Sequence, residues 1–171
     1  MSFNERNFGR ILDLIGISQH TNQRADYHPE GDVQNHTLQV FNHAVRESDD
    51  IELILAALCH DLGKINGISV DGKSHDLYSK EIVEKEGLSD KTIWLVSNHI
   101  RIKMYLDGRM KKLAKANEMS SHPWFADLVK LHRWDMMGRN AKTRMKFDRS
   151  EILQKLNDKD SKTEETRKES E

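Results

Sequence analysis

His60 and Asp61 close the most hydrophobic stretch of the chain, Ile51 to Cys59. A carboxylate there is costly to bury unless it is paired or bound to a metal, so the dipeptide needs partners from elsewhere. Helical spacing offers them. Phe125, Leu128, His132 and Asp135 fall on one helix face, which turns a second acid inward with an apolar stripe. His75 shares a face with Tyr78 and Ile82, and His36 with Val40 and Ala44. Taken singly, an inward histidine is most often a hydrogen-bonded core residue and an inward aspartate most often the partner of a cation. Several imidazoles and carboxylates directed inward from different helices form a nitrogen and oxygen donor set suited to a divalent ion. The single cysteine, Cys59, supplies neither a thiolate cage nor an internal disulfide and suits a reducing compartment.

The elements that must position these residues are helices. Two prolines, Pro29 and Pro123, interrupt the chain, and its apolar residues recur at helical spacing without strand-like alternation. The fold class expected is all-α. A first helix spans roughly Asn4 to Leu14 with Phe8, Ile11, Leu12 and Ile15 on its face, and a second starts near Asn35. Ser48, Asp49 and Asp50 supply caps for a third through Leu58, apolar nearly all round and therefore central, which stops at Gly63. A glycine-containing loop is expected over Ile65 to Lys73, then helices over His75 to Glu86 and Lys91 to Asn98. Pro123 suits the first turn of a helix running to about Gly138, with Ser121 or His122 at its cap.

A chain of 171 residues with a net charge of -1, 36% hydrophobic and 32% charged, is expected to make one domain over residues 1–150. Beyond Lys155 only Leu156 is apolar, so residues 151–171 read as a polar tail, partly disordered, in which a helix starts at most near Ser150. The near-neutral total hides an asymmetry. From Asp26 to Asp61 there are eight acids and one base, Arg46, whereas from Arg101 to Arg149 there are thirteen bases and five acids. The first region suits a divalent cation. The second offers a cationic rim for a phosphorylated substrate, densest at Arg101, Lys103, Arg109, Lys111, Lys112 and Lys115. No signal-peptide stretch opens the chain and no run approaches membrane-spanning length, so the expected address is the cytoplasm, with no membrane partner.

Three blocks carry a family resemblance: Ala25 to Asp32 leading to His36-Thr37-Leu38, then Ala57-Leu58-Cys59-His60-Asp61-Leu62-Gly63-Lys64, then Asp135-Met136-Met137-Gly138-Arg139. In this order, over residues 25 to 140, they resemble the HD-domain metal-dependent phosphohydrolases, and most closely the HD unit of bacterial CCA-adding enzymes (tRNA nucleotidyltransferases). One segment departs from the pattern: where relatives place a His-rich, glycine-containing stretch, this chain reads Lys73-Ser74-His75-Asp76-Leu77.

The resemblance implies a compact helical HD fold and a divalent metal, one or two ions, held by His36, His60, Asp61 and Asp135, with His75 and His99 as ligands of a second ion bridged by Asp61. Manganese, iron, cobalt, nickel and zinc all suit that donor set. It implies hydrolysis of phosphate mono- or diesters of nucleotides or RNA ends, of the phosphatase, 2'-nucleotidase or 2',3'-cyclic phosphodiesterase type, through a metal-activated water. Lys64 and Arg139 follow two of the blocks and are expected to meet the substrate phosphate. His28, Glu30 and His132 are expected to line the pocket. A chain of this length leaves no space for a nucleotidyltransferase half, so a stand-alone hydrolytic module is expected. Two other readings stay open: a regulatory HD module that binds metal or nucleotide without catalysis, and an accessory RNA-binding protein. Oligomeric state is not readable from the sequence.

Overall fold

The computed structural model describes residues 2–66 and 74–171, and among them the chain is eight α-helices without a strand. The expected all-α class is what is found. The helices are α1 (Glu5–Ile17), α2 (Val33–Glu47), α3 (Ile51–Cys59), α4 (His75–Lys85), α5 (Asp90–Leu106), α6 (Leu113–Ser120), α7 (Phe125–Met137) and α8 (Arg149–Glu169). Among the described residues, no helix is long and apolar enough to cross a membrane.

Capping side chains set most of the starts. Asn4 and Asn7 form a reciprocal box at α1, Asp32 accepts from the Asn35 amide at α2, and Asp50 from the Glu52 amide at α3. α3 is the hub: Ile51 and every residue from Leu53 to Cys59 are buried. It packs on α2, α5, α7 and α8, which is the environment an all-apolar surface requires. Each buried leucine or isoleucine contributes about 1.5–3 kcal/mol to holding this arrangement.

Past the hub the chain makes a 3-10 turn over Leu62–Asn66. Residues 67–73 of the loop expected over Ile65 to Lys73 lie outside the described residues. Gly63 in this turn is a packing requirement, because a Cβ there would sit 2.1 Å from the His75 carbonyl oxygen and 2.7 Å from the Ser79 amide. Its absence lets α4 close onto the end of α3, a contact fixed by the Gly63 amide donating to Ser79 Oγ at 2.8 Å.

Four local readings differ from the structure. α5 continues to Leu106, past the expected end at Asn98, because Ile102 stays in the core. α6 was not expected; it buries Ala116 and Met119 on an otherwise exposed turn. α7 starts at Phe125, two residues after Pro123, with Trp124 as its cap residue; His122 Nδ1 accepts from the Trp124 amide just before it.

The fourth is the polar tail, which is helical as α8 through Glu169. Ile152 and Leu156 are buried, and beyond them polar groups on the same face make the contact. Thr163 Oγ1 donates to the Asp49 carbonyl and accepts from the Ile51 amide, capping α3, while Lys159 Nζ donates to the Ser48 carbonyl and to Asp49. Hydropathy does not register a face built from threonine, lysine and arginine hydrogen bonds.

Candidate metal centre

His36 lies one turn into α2, His60 immediately follows α3, His99 is midway along α5, and Asp135 stands in the last turn of α7. Their orientation comes from the main chain. His60 Nδ1 is 2.8 Å from the Ala57 carbonyl and His99 Nδ1 is 2.7 Å from the Val96 carbonyl, each three residues back in its own helix. His36 Nδ1 lies 2.8 Å from the Gly138 carbonyl and 2.8 Å from Glu30 Oε1. Since a carbonyl only accepts, each Nδ1 carries a proton, and the Nε2 atoms, left for a metal or a second proton, are turned toward one another. Gly138 makes the approach of α7 to α2 feasible: a Cβ there would lie 2.5 Å from Val40 Cγ2.

Asp61 is the centre of the arrangement. Its Oδ2 is 3.4 Å from His36 Nε2 and 3.3 Å from His60 Nε2, and Asp135 Oδ1 completes this group at 3.0 Å from His36 Nε2 and 3.7 Å from His60 Nε2. The other oxygen, Oδ1, is 3.2 Å from His75 Nε2 and 3.3 Å from His99 Nε2. The donor atoms of each group lie within 4.8 Å of one another. His36 Nε2 and His60 Nε2 are buried without a hydrogen bond of acceptable geometry, although acidic oxygens surround them. Buried nitrogens and carboxylate oxygens converging in this way form a donor set that fits a divalent cation.

The electrostatics of the two groups differ. Burial opposes charge on His60, but the charge of Asp61 and the contact with Asp135 outweigh it and raise the imidazole to about 10. His36 is raised in the same way, burial being overcome by Asp135 and Glu30. Asp61 and Asp135 are held well below the ordinary carboxylate range, burial notwithstanding, Asp61 by the charges of His60 and Lys64 and Asp135 by its contacts with His36 and His60. His99 moves the other way: its burial dominates the attraction of Asp61 and lowers it.

Lys64 Nζ sits 2.9 Å from Asp61 Oδ2 and donates to Gln23 Oε1 at 2.6 Å. Arg139 reaches Asp135 Oδ1 at 3.6 Å and donates to the Tyr27 carbonyl at 3.1 Å. Both cations therefore adjoin the cluster. His132 is half-buried near Asp135 and Lys103, and its burial lowers its basicity. Glu30 is placed differently from the expectation of a pocket residue. Its side chain is fully buried behind His36, held by His28 Nδ1 at 2.8 Å as well as by His36, and it stays ionised down to about pH 2, burial being outweighed by these two contacts. His28 is the more exposed end of that chain. Gln23, the Gly138 carbonyl and Tyr27 were missed by the sequence reading; the Gly138 carbonyl belongs to a recognisable block, whereas nothing local marks Gln23.

The HD domain family model matches residues 33–161, about three quarters of the chain. The chain belongs to the HD family. HD domains bind divalent metals and are in general metal-dependent phosphohydrolases. Among relatives, the multifunctional CCA protein of Paraburkholderia phytofirmans is 28% identical over 160 residues, covering 84% of this HD chain and 39% of that protein. Multifunctional CCA proteins of Burkholderia mallei and Burkholderia pseudomallei are each 46% identical over 55 residues, 32% of this chain and 13% of theirs. The HD chain thus spans well under half the length of the curated relatives it matches.

Proposed function

We propose that this HD protein hydrolyses phosphate mono- or diesters of nucleotides or RNA ends, with His36, His60, Asp61 and Asp135 holding one divalent ion and His75 and His99 joining Asp61 around a second. The observation that carries the reading is the division of Asp61, one oxygen facing each imidazole group, with two cations beside the same carboxylates. A divalent ion bound there supplies Lewis acidity toward a phosphoryl oxygen and a nucleophilic water at neutral pH. The protein's own groups do the rest. The main-chain carbonyls behind the imidazoles keep the Nε2 atoms aimed inward, and Glu30 accepts from the His36 Nδ1–H, which leaves more electron density on the ring and strengthens Nε2 as a ligand. Lys64 and Arg139 bring positive charge to the flanks, where a phosphate and its developing negative charge are stabilised. The fit to multifunctional CCA proteins makes nucleotides and RNA ends the first substrates to test.

The test is release of phosphate, or opening of a 2',3'-cyclic ester, across a nucleotide panel with manganese, cobalt or nickel. Turnover in the native protein that disappears in Asp61→Ala is the expected result. Bound metal with no turnover on any member of the panel overturns the catalytic reading and leaves a binding module.

A further inference from the structure

We propose that the C-terminal half of α5, the connection after it and α6 together bind a single-stranded polynucleotide. Of the six cations from Arg101 to Lys115, Arg109 is matched by Asp107 at 3.0 Å. Arg101, Lys103, Lys111, Lys112 and Lys115 have no carboxylate within 4 Å among the described residues. Several cations elsewhere are paired, Arg144 with Asp32, Arg149 with Glu5 and Asp13, Lys159 with Asp49, and Arg167 with Glu52. The unpaired ones elsewhere among the described residues, such as Arg6, Arg46, Lys142 and Lys146, are spread along the chain rather than five in fifteen residues. Like charges concentrated without partners repel one another, and an anionic ligand relieves that repulsion.

The shape and composition narrow the ligand. Two adjoining clefts of about 270 Å³ and about 290 Å³ share Arg101, Met110 and Lys115 in their walls. Trp94, stacked on His122 with ring centres 4.0 Å apart, borders the first. Leu106 and Leu113, 50% and 73% exposed, stand among the cations. A duplex presents phosphate and hides its bases, so it leaves these apolar groups uncovered; an acidic peptide matches the charge but lacks regularly spaced planar groups. A strand with unpaired bases meets both features.

Lys103 lies apart from these clefts, on the face of α5 that carries His99. Lys103, one helical turn after His99, holds its ammonium 5.9 Å from the ring centre of Tyr27, whose carbonyl receives Arg139 beside Asp135. The binding does not rest on the hydrolase reading.

The experiment is fluorescence anisotropy of labelled single-stranded RNA and DNA over a salt series, with Asp61→Ala protein to exclude turnover. Binding is expected to survive Asp61→Ala. Combined Arg101→Gln, Lys111→Gln, Lys112→Gln and Lys115→Gln are expected to weaken it about tenfold or more and to flatten the salt slope by up to about 3. Equal affinity for RNA and DNA assigns recognition to backbone and bases, and tighter RNA binding adds the 2'-hydroxyl; both support the proposal. Unchanged affinity and slope in the fourfold variant, or competition by polyglutamate as effective as that by RNA, overturns it, whatever the phosphatase panel shows.

Discussion

On its Oδ2 side, Asp61 meets His36 and His60, both wholly buried and each locked through Nδ1 to a main-chain carbonyl, with Asp135 closing the group. On its Oδ1 side it meets His99, locked in the same manner, and His75, whose side chain is 29% exposed and which opens α4 after the cap residue Ser74. The two Nε2 atoms there are 3.1 Å apart. The sides also differ in basicity, since acids raise His36 and His60 while burial lowers His99. One carboxylate thus joins a rigid, acid-rich subsite to a more exposed one in which a single imidazole depends on how α4 is docked.

The largest effect should come from breaking the rigid side. His60→Ala removes a ligand directly and is expected to lose more metal affinity than the ~10–100-fold that an outer partner typically costs, whereas His75→Ala leaves the Oδ2 subsite loaded. Elemental analysis after dialysis separates the two. Gly63→Ala tests what docks α4: its methyl group collides with the His75 carbonyl, so α4 must move, at a cost of about 1–3 kcal/mol in stability, and the Oδ1 subsite weakens while the other persists. Denaturant melts paired with metal titration read both effects. Glu30→Gln keeps the shape behind His36 but removes the charge, and should lower affinity ~10–100-fold at the Oδ2 subsite alone.

The smallest and most graded difference is in pH. An ion entering the Oδ2 subsite must displace protons from imidazoles whose affinity for them is raised, so binding there releases protons and strengthens as pH rises toward about 10. His99 is lowered and binds without that competition at neutral pH, so the Oδ1 subsite should show the flatter dependence. Calorimetric titration in buffers of different protonation enthalpy measures the proton count at each step.

The sequence made the clustered imidazoles and carboxylates legible and left their supports hidden. His36, His60, Asp61 and Asp135 could be read because each is a polar group set against an apolar helical stripe, and the three HD blocks tie them together. The carbonyls of Gly138, Ala57 and Val96 could not, since every residue carries one and only the packing decides which meets an imidazole. Glu30 sits in a loop held to α2 by Asn35 and His36, so its place behind His36 had no local signal. The helical class followed from periodicity, but α6 and α8 escaped it. α6 buries two side chains, and α8 docks largely through Thr163, Lys159 and Arg167, which count as solvent-facing on any hydropathy scale.

The most direct test is a manganese titration in which bound ion, followed by electron paramagnetic resonance, and phosphate release from a nucleotide are measured on the same samples. Hydrolysis should rise in step with ion bound at the cluster, and both should vanish in Asp61→Asn. Phosphate release that persists in Asp61→Asn, or full manganese occupancy without hydrolysis of any nucleotide, contradicts the account.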